Sequence, residues 1–227
     1  MQGSAHKAFL PLAGRPLVAW SLAKFADAPE VERAIVAVPP GMEEFANRLM
    51  SVYDAELPIE VVAGRATRAQ SVRAAFKAAG DVATVLVHDA ARPLLTTELI
   101  TGPLRALEEW GCAAVLCAAP ATDTIKESDD GENVSATLPR QRVWMAQTPQ
   151  VFRADELRAA YEQVDDDTLT MMTDETQLIE ATGGDVRIFP SLPDNLKVTT
   201  PVDMMLAELL IEARTSGVCG SRTDDAN

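Results

Sequence analysis

Four short apolar runs, each closed by a polar or turn-forming residue, recur along the first 120 residues: "RAIVAVPP" at 33–40, "PIEVVAG" at 58–64, "TVLVHDA" at 84–90 and "CAAVLCAAP" at 112–120. The segments between them place apolar residues at helical spacing. Leu17, Trp20, Ala23 and Phe25 fall near one face of a helix over 17–26. Phe45, Leu49 and Val52 do so in "MEEFANRLMSVY", and Val72, Phe76 and Ala79 in "RAQSVRAAFKAAG", with Gly80 as the stop. A further helix covers 99–110, delayed or kinked by Pro103. Continuous rather than alternating apolar runs mark strands buried on both faces, and strand–helix alternation supplies the helices that cover them. The expected fold is therefore α/β, a parallel sheet with helices on both faces. Ligands of such sheets bind at the carboxyl ends of the strands. The residues that close the runs, Gly64, His88 with Asp89, and Thr122-Asp123-Thr124, are the first site candidates.

The pattern changes at 122. "TDTIKESDDGENVSATLPRQRVW" is polar, with a turn signal at Asp130-Gly131, and reads as a β-hairpin arm over about 122–144 with little to bury. An isolated hairpin is marginal in water, so the expected support is a second copy of the chain in a two-fold dimer. Beyond the arm come a helix over 155–164, an acidic patch at 165–167, and a helix opening at Thr173. Short strands follow in "VRIFPS" and "NLKV". The last helix has a strong start: Thr200 as N-cap, Pro201 in the first position and Asp203 three residues on. Residues 1–214 read as one domain and 215–227 as a disordered tail.

Composition narrows the partners. With 34 acidic and 20 basic residues the net charge is −14, which repels nucleic acid and anionic membranes. An anionic substrate would need a local group of cations. Three cysteines without CxxC spacing and two histidines give no disulfide framework and no structural zinc site. With no apolar run of membrane-spanning length and no convincing signal peptide, the expected location is the cytoplasm.

Six stretches, "KAFLPLAGRPL", "VHDAARP", "DTIK", "AQTPQ", "TDE" and "DNLKVTTP", occur in an order and spacing that resemble the 2-C-methyl-D-erythritol 4-phosphate cytidylyltransferase family. The resemblance runs from residue 1 to about 212. It implies a Rossmann-like nucleotidyltransferase sheet with a projecting dimerisation arm. The implied reaction joins CTP to a sugar-alcohol phosphate with Mg²⁺ and releases pyrophosphate. The nucleophile would be a substrate phosphate oxygen, already anionic near neutral pH because a phosphate monoester's second pKa is about 6. Such chemistry needs positive charge rather than a protein base.

Carried over residue by residue, the resemblance makes Lys7 a catalytic lysine on the triphosphate and Lys197 a second at the α-phosphate. Arg140 becomes an arm arginine that holds the substrate phosphate from the partner subunit. Thr124, Thr148 and Thr173 become substrate contacts. Gly64, Ser71, Asp89 and Ala90 become nucleotide-binding positions, with Asp89 also the metal ligand. His88 reads as a structural hydrogen-bonding residue.

The chain departs from the family at its start. Family members open with a strand and a glycine-rich loop of the form A-A-G-x-G-x-R-x-G, whose amides cradle the triphosphate. Met1 falls where they have the residue just after that arginine, so the expectation is a chain that begins inside the phosphate loop, binds CTP poorly and is marginally stable. His6 stands where proline is usual, and Arg65 where glycine is common. Two other readings follow: a ribitol-5-phosphate cytidylyltransferase, or an inactive remnant serving as a dimeric binding protein. The three cations Lys7, Arg140 and Lys197 speak against the remnant.

Overall fold

The computed structural model describes residues 7–53 and 56–216. The chain enters through a tight antiparallel pair, β1 (Pro11–Leu12) and β2 (Arg15–Pro16). Ala13 and Gly14 form its two-residue loop with positive φ angles of 47° and 78°, the combination that matches the twist of a hairpin. The pair turns Leu12 into the interior and runs directly into α1 (Leu17–Ala26).

Strands and helices then alternate as expected: β3 (Ala34–Val38), α2 (Glu43–Val52), β4 (Ile59–Ala63), α3 (Arg68–Ala79), β5 (Thr84–Val87), α4 (Glu98–Trp110) and β6 (Ala114–Pro120). Pro103 lies inside α4, which begins at Glu98 all the same. The arm carries β7 (Lys126–Glu127) and β8 (Ala136–Thr137) and returns through a 3-10 turn at Arg140–Arg142. Next come β9 (Trp144–Arg153), α5 (Ala154–Glu162), α6 (Asp166–Met171), α7 (Thr176–Ala181), β10 (Val186–Pro190) and α8 (Pro201–Thr215).

The main sheet has the order β10-β6-β9-β5. It is mixed, not parallel throughout. β10 pairs with β6 and β3 with β4 in parallel, whereas β9 runs antiparallel to both β6 and β5. The cause is the arm: β6 leads out to it and β9 leads back beside β6, as the two legs of a hairpin must. Strand periodicity sends adjacent residues to opposite faces. Ala114, Phe152 and Val186 meet α3, α5 and α7 through Phe76, Leu157 and Leu178, while Val115, Val151 and Phe189 meet α4 through Ala106 and Leu107. Both faces are thus covered by helices.

β3 and β4 form a separate two-stranded sheet, and among the described residues no strand is hydrogen-bonded between β3 and β5. β3 is correspondingly half-buried along most of its length rather than fully interior. The expectation of a missing first strand and phosphate loop concerns what precedes Lys7 and lies outside the described residues.

Three further readings change. "NLKV" is not a strand: it is irregular and held to the segment after β5 by Val198 N–H donating to Ala91 O at 2.7 Å, with no ladder. The helix expected at Thr173 begins at Thr176 as α7; Thr173 N–H donates to the Gln177 side chain instead. The acidic patch opens a short helix, α6, with Asp165 as its N-cap accepting from Thr168 N–H. The start of α8 follows the sequence in full. Thr200 accepts from Asp203 N–H, and the Asp203 carboxylate reaches back to Thr200 N–H. The tail beyond residue 216 lies outside the described residues.

Candidate active site

The site is built at the carboxyl end of β5, where the apolar run stops and His88-Asp89 begins. Asp89 is 13% exposed and has a cation on each oxygen. Arg68 Nε donates to Oδ1 at 3.0 Å and Lys197 Nζ approaches Oδ2 at 2.7 Å. Burial alone would raise this acid. The charges and hydrogen bonds of Arg68 and Lys197 outweigh it and hold Asp89 down at about 2. Asp89 is therefore ionised at any working pH.

Lys197 reaches this carboxylate because its segment is fastened beneath it. Arg92 Nη1 donates to Asn195 O at 2.7 Å, Asn195 Nδ2 donates to Thr148 O and to Gln147 Oε1, and Val198 N–H donates to Ala91 O. Asn195 and Thr148 are buried, so these bonds are shielded from water. Lys7 joins from the other end of the chain: its ammonium donates to Thr199 O, two residues past Lys197. Two lysines from opposite ends of the sequence thus meet on one segment: Lys197 itself, and Lys7 bonded to the backbone two residues further on.

A hydrogen-bond relay orients the loop after β5. Asp89 N–H donates to Thr148 Oγ1 at 3.0 Å, and Thr148 Oγ1 lies 3.0 Å from His88 Nδ1. His88 Nε2 lies 3.1 Å from the Arg92 carbonyl, an acceptor only. The proton of the neutral ring therefore sits on Nε2, leaving Nδ1 to accept from Thr148. Burial of the ring pulls His88 down to about 4, and Phe25 packs edge-on against it. His88 holds Thr148 and the loop in place; no bond of its ring is left over for chemistry.

Gly64 and Ser71 lie at the next strand end, between β4 and α3. Gly64 N–H donates to Val38 O, and a Cβ added at Gly64 would stand 3.0 Å from both Val38 O and Ser71 Oγ, so any side chain there would push on both. Ser71 Oγ accepts from Arg65 N–H at 2.8 Å and donates to Thr67 O. Thr67 N-caps α3, and Arg68, the first helical residue, carries the turn across to Asp89. Ala90 is half-buried and packs, as Ala8 and Phe9 do, on the cluster of Val18, Leu22 and Met50. Thr173 is exposed in the loop before α7, two residues from Glu175, which also pairs with Arg68.

Of the expected residues, hydrogen bonds and ion pairs join Asp89, Thr148 and Lys197 directly and Lys7 through Thr199; Gly64 and Ser71 lie at the neighbouring strand end, Ala90 follows Asp89 in the chain, and Thr173 lies two residues before Glu175. Thr124 and Arg140 stand apart on the arm. Both are exposed, and Arg140 Nη1 donates to Thr122 O within the arm. The sequence reading missed Arg68 as part of the site and gave no role to the Glu175 carboxylate. Arg68 looks like a solvated residue on the first turn of a helix, and Glu175 like one more acid in an acidic stretch. Their only signal was the need of a buried carboxylate for a cation.

Among the described residues, no three His, Cys, Asp or Glu side chains gather as a ready-made metal site. Asp89 offers a dication one carboxylate. That fits an ion whose remaining ligands are phosphate oxygens and water, the usual pattern for Mg²⁺ with nucleotides.

A two-faced α/β sheet that collects lysines and arginines around an ionised carboxylate at its strand ends defines a phosphate-handling α/β protein of the nucleotidyltransferase type. The family described as IspD, 2-C-methyl-D-erythritol 4-phosphate cytidylyltransferase, matches residues 1–213. The chain belongs to that family. It is 38% identical over 212 residues to the 2-C-methyl-D-erythritol 4-phosphate cytidylyltransferase of Dehalococcoides mccartyi strain CBDB1, covering 93% of this chain and 90% of that one. It is 40% identical over 220 residues to the Aromatoleum aromaticum protein of the same name, covering 95% and 91%. The crystal structure of the Thermus thermophilus cytidylyltransferase superposes with a TM-score of 0.76 at 33% identity, over 91% of this chain and 93% of that one. The Francisella tularensis structure gives 0.78 at 29%, over 89% and 92%.

Proposed function

We propose that this chain transfers a cytidylyl group from CTP to 2-C-methyl-D-erythritol 4-phosphate. An oxygen of the acceptor phosphate attacks the α-phosphorus of CTP. The bond to the β-phosphate bridge breaks, and pyrophosphate leaves with the electron pair. No proton need be removed, since the attacking oxygen is already anionic above about pH 6. The observation that carries this reading is the Asp89 carboxylate held between Arg68 and Lys197 at the end of β5, with Lys7 tied to the Lys197 segment through Thr199 O.

Lys197 sits on a carboxylate when no phosphate is there. It is 42% exposed and can turn from Asp89 to an α-phosphate, where its charge offsets that developing in the transition state. Lys7, within reach of the same loop, meets the rest of the triphosphate. Gly64 leaves room for the base against backbone. Thr173, exposed before α7, supplies a hydroxyl on the acceptor side, whereas the Thr148 hydroxyl expected to join it is buried and taken up by Asp89 N–H and His88, so Thr148 acts by holding the loop. Arg140 suits a monoester phosphate, which a planar guanidinium binds through two oxygens. With Arg140 out on the arm, the partner subunit of a homodimer is the chain whose site it would complete. Mg²⁺ bound by the triphosphate and Asp89 would neutralise phosphate charge and polarise the α-phosphate.

Among the described residues no helix is long and apolar enough to cross a membrane. Cys112 and Cys117 are free and buried, which supports a reducing compartment, the cytoplasm. Ribitol 5-phosphate, the other acceptor weighed from the sequence, lacks the support that the named relatives lend to methylerythritol phosphate. The test is pyrophosphate release from CTP and Mg²⁺ with each alcohol phosphate in turn. Turnover with methylerythritol phosphate and little with ribitol phosphate is expected. Turnover with neither removes the proposal.

A further inference from the structure

Glu175 is the odd member of the centre. Its side chain is wholly buried, and both of its carboxylate oxygens accept from a single nitrogen, Arg68 Nη1, at 2.9 and 2.8 Å. The same guanidinium directs Nε to Asp89 Oδ1. One arginine therefore bridges two carboxylates. For stability alone this is a poor use of an interior position, because a buried ion pair is often matched or bettered by packed aliphatic side chains. What an aliphatic residue cannot do is orient a guanidinium. Arg68 is a long side chain, one-third exposed. Once Nη1 is anchored in the interior, the planar group leaves Nε one direction, toward Asp89. With Oδ1 held, the carboxylate must present Oδ2 to Lys197.

Charge points the same way. Arg68, Lys197 and Arg92 all face Asp89, Arg92 at 4.0 Å, and Arg92 Nε has no hydrogen-bond partner. Three cations around one carboxylate repel each other, and Glu175 is the second anion that keeps Arg68 among them. Burial pushes the Glu175 acid up and Arg68 pulls it back down.

We propose that Glu175 and Arg68 are a positioning pair: Glu175 fixes Arg68, and Arg68 fixes the Asp89 carboxylate so that Oδ2 and Lys197 are set for an incoming triphosphate. This rests on the reading of Asp89 and Lys197 as nucleotide-handling residues. Neither member of the pair touches substrate. Because Glu175 follows Thr173 by two residues, the pair also ties the acceptor-side loop to the nucleotide side.

Single changes would strand a buried charge, so the decisive variant is the neutral pair, Arg68→Gln with Glu175→Gln. Two readouts are taken, turnover and a crystal structure. The kcat is expected to fall by about tenfold or more while the KM for CTP moves by less than about threefold, since the loss concerns geometry reached in the transition state. In the crystal, Asp89 is expected to leave its 2.7 Å contact with Lys197 or to occupy several rotamers. A kcat within about twofold of wild type overturns the proposal whatever happens to the melting temperature. So does a lower kcat with Asp89 still in place. If the wild-type chain turns over no substrate, the functional reading fails, and the position of Asp89 in the crystal still decides this one.

Discussion

The strand-end centre and the arm divide the proposed site between two kinds of structure. At the centre Asp89 and Glu175 both face cations, the loops are bonded to one another beneath the surface, and Asp89, Thr148, Glu175 and Asn195 are largely or wholly out of solvent. On the arm, β7 and β8 pair over two residues each, and nothing between Thr122 and Arg142 is fully buried. The Arg140 side chain has one hydrogen bond, to its own arm. The nucleotide half is organised within one chain before any ligand arrives. The part of the acceptor side that carries Arg140 is displayed on a hairpin with no fully buried residue. Changes at the centre should therefore disturb chemistry and stability together, and changes on the arm should alter acceptor use alone.

The largest effect that can break this division belongs to Lys197. Lys197→Ala is expected to lower kcat by about 10²–10³-fold, the usual cost of removing one group aimed at developing charge. Pyrophosphate release measures it. A loss below about tenfold would mean that the lysine only partners Asp89, and the centre would be a structural knot. Next comes Arg140→Ala, expected to raise the KM for the acceptor phosphate by at least about tenfold and leave that for CTP unchanged, as loss of a charged hydrogen bond to one substrate would. If the arm serves a second subunit, mixing Arg140→Ala chains with Lys197→Ala chains restores one intact site per mixed dimer, about a quarter of the wild-type sites. No recovery on mixing would place Arg140 in its own chain's site or in none.

The same division explains what could be read without coordinates. The alternation of apolar runs and helical spacings located the strands because burial on two faces leaves a compositional trace. The box at Thr200, Pro201 and Asp203 is local and needed nothing else. The direction of β9 was not legible, since "WMAQTPQVF" looks the same run either way; only its place after an excursion determines it. The "NLKV" segment has strand-like residues but just one backbone bond to the loop after β5, so propensity misled where tertiary anchoring decided. Lys7 and Lys197 could be singled out by motif. Arg68 could not, because its importance lies in which two carboxylates it bridges, and neither Asp89 nor Glu175 is near it in sequence.

Acid should weaken the centre through His88. Its ring is held neutral in the fold, down at about 4, chiefly by burial and also by the Arg92 charge, against Asp89 and the Arg92 and Thr148 hydrogen bonds that favour the proton. The unfolded chain takes up that proton near pH 6.5. Stability from this group is thus complete above about pH 6.5 and drains as the pH falls toward 4, by up to about 3 kcal/mol. Asp89 acts in a lower window, losing its contribution only as the pH falls from about 4 toward 2. Urea midpoints at pH 7 and pH 5 should differ in the wild type and converge in His88→Gln, which keeps a polar group beside Thr148. An unchanged gap would assign the acid sensitivity elsewhere.

The smallest effect is expected at the arm's tip, and its smallness is the point. Asp130 accepts hydrogen bonds from the backbone of Glu132 and Asn133 and from the Asn133 side chain, and these hold its acid well below the usual range. It is the best-satisfied carboxylate on the arm and touches no part of the core. Asp130→Ala should accelerate amide exchange at Gly131, Glu132 and Asn133 and leave the melting temperature within about 2 °C of wild type. Acceptor KM should move by about threefold at most, since Arg140 lies at the arm's base beside Thr122 and not at its tip. A larger drop in melting temperature would show that the hairpin's shape is coupled to the core after all. In that case the arm and the centre would be one cooperative unit, and the selective effect on acceptor binding expected of Arg140→Ala could not hold.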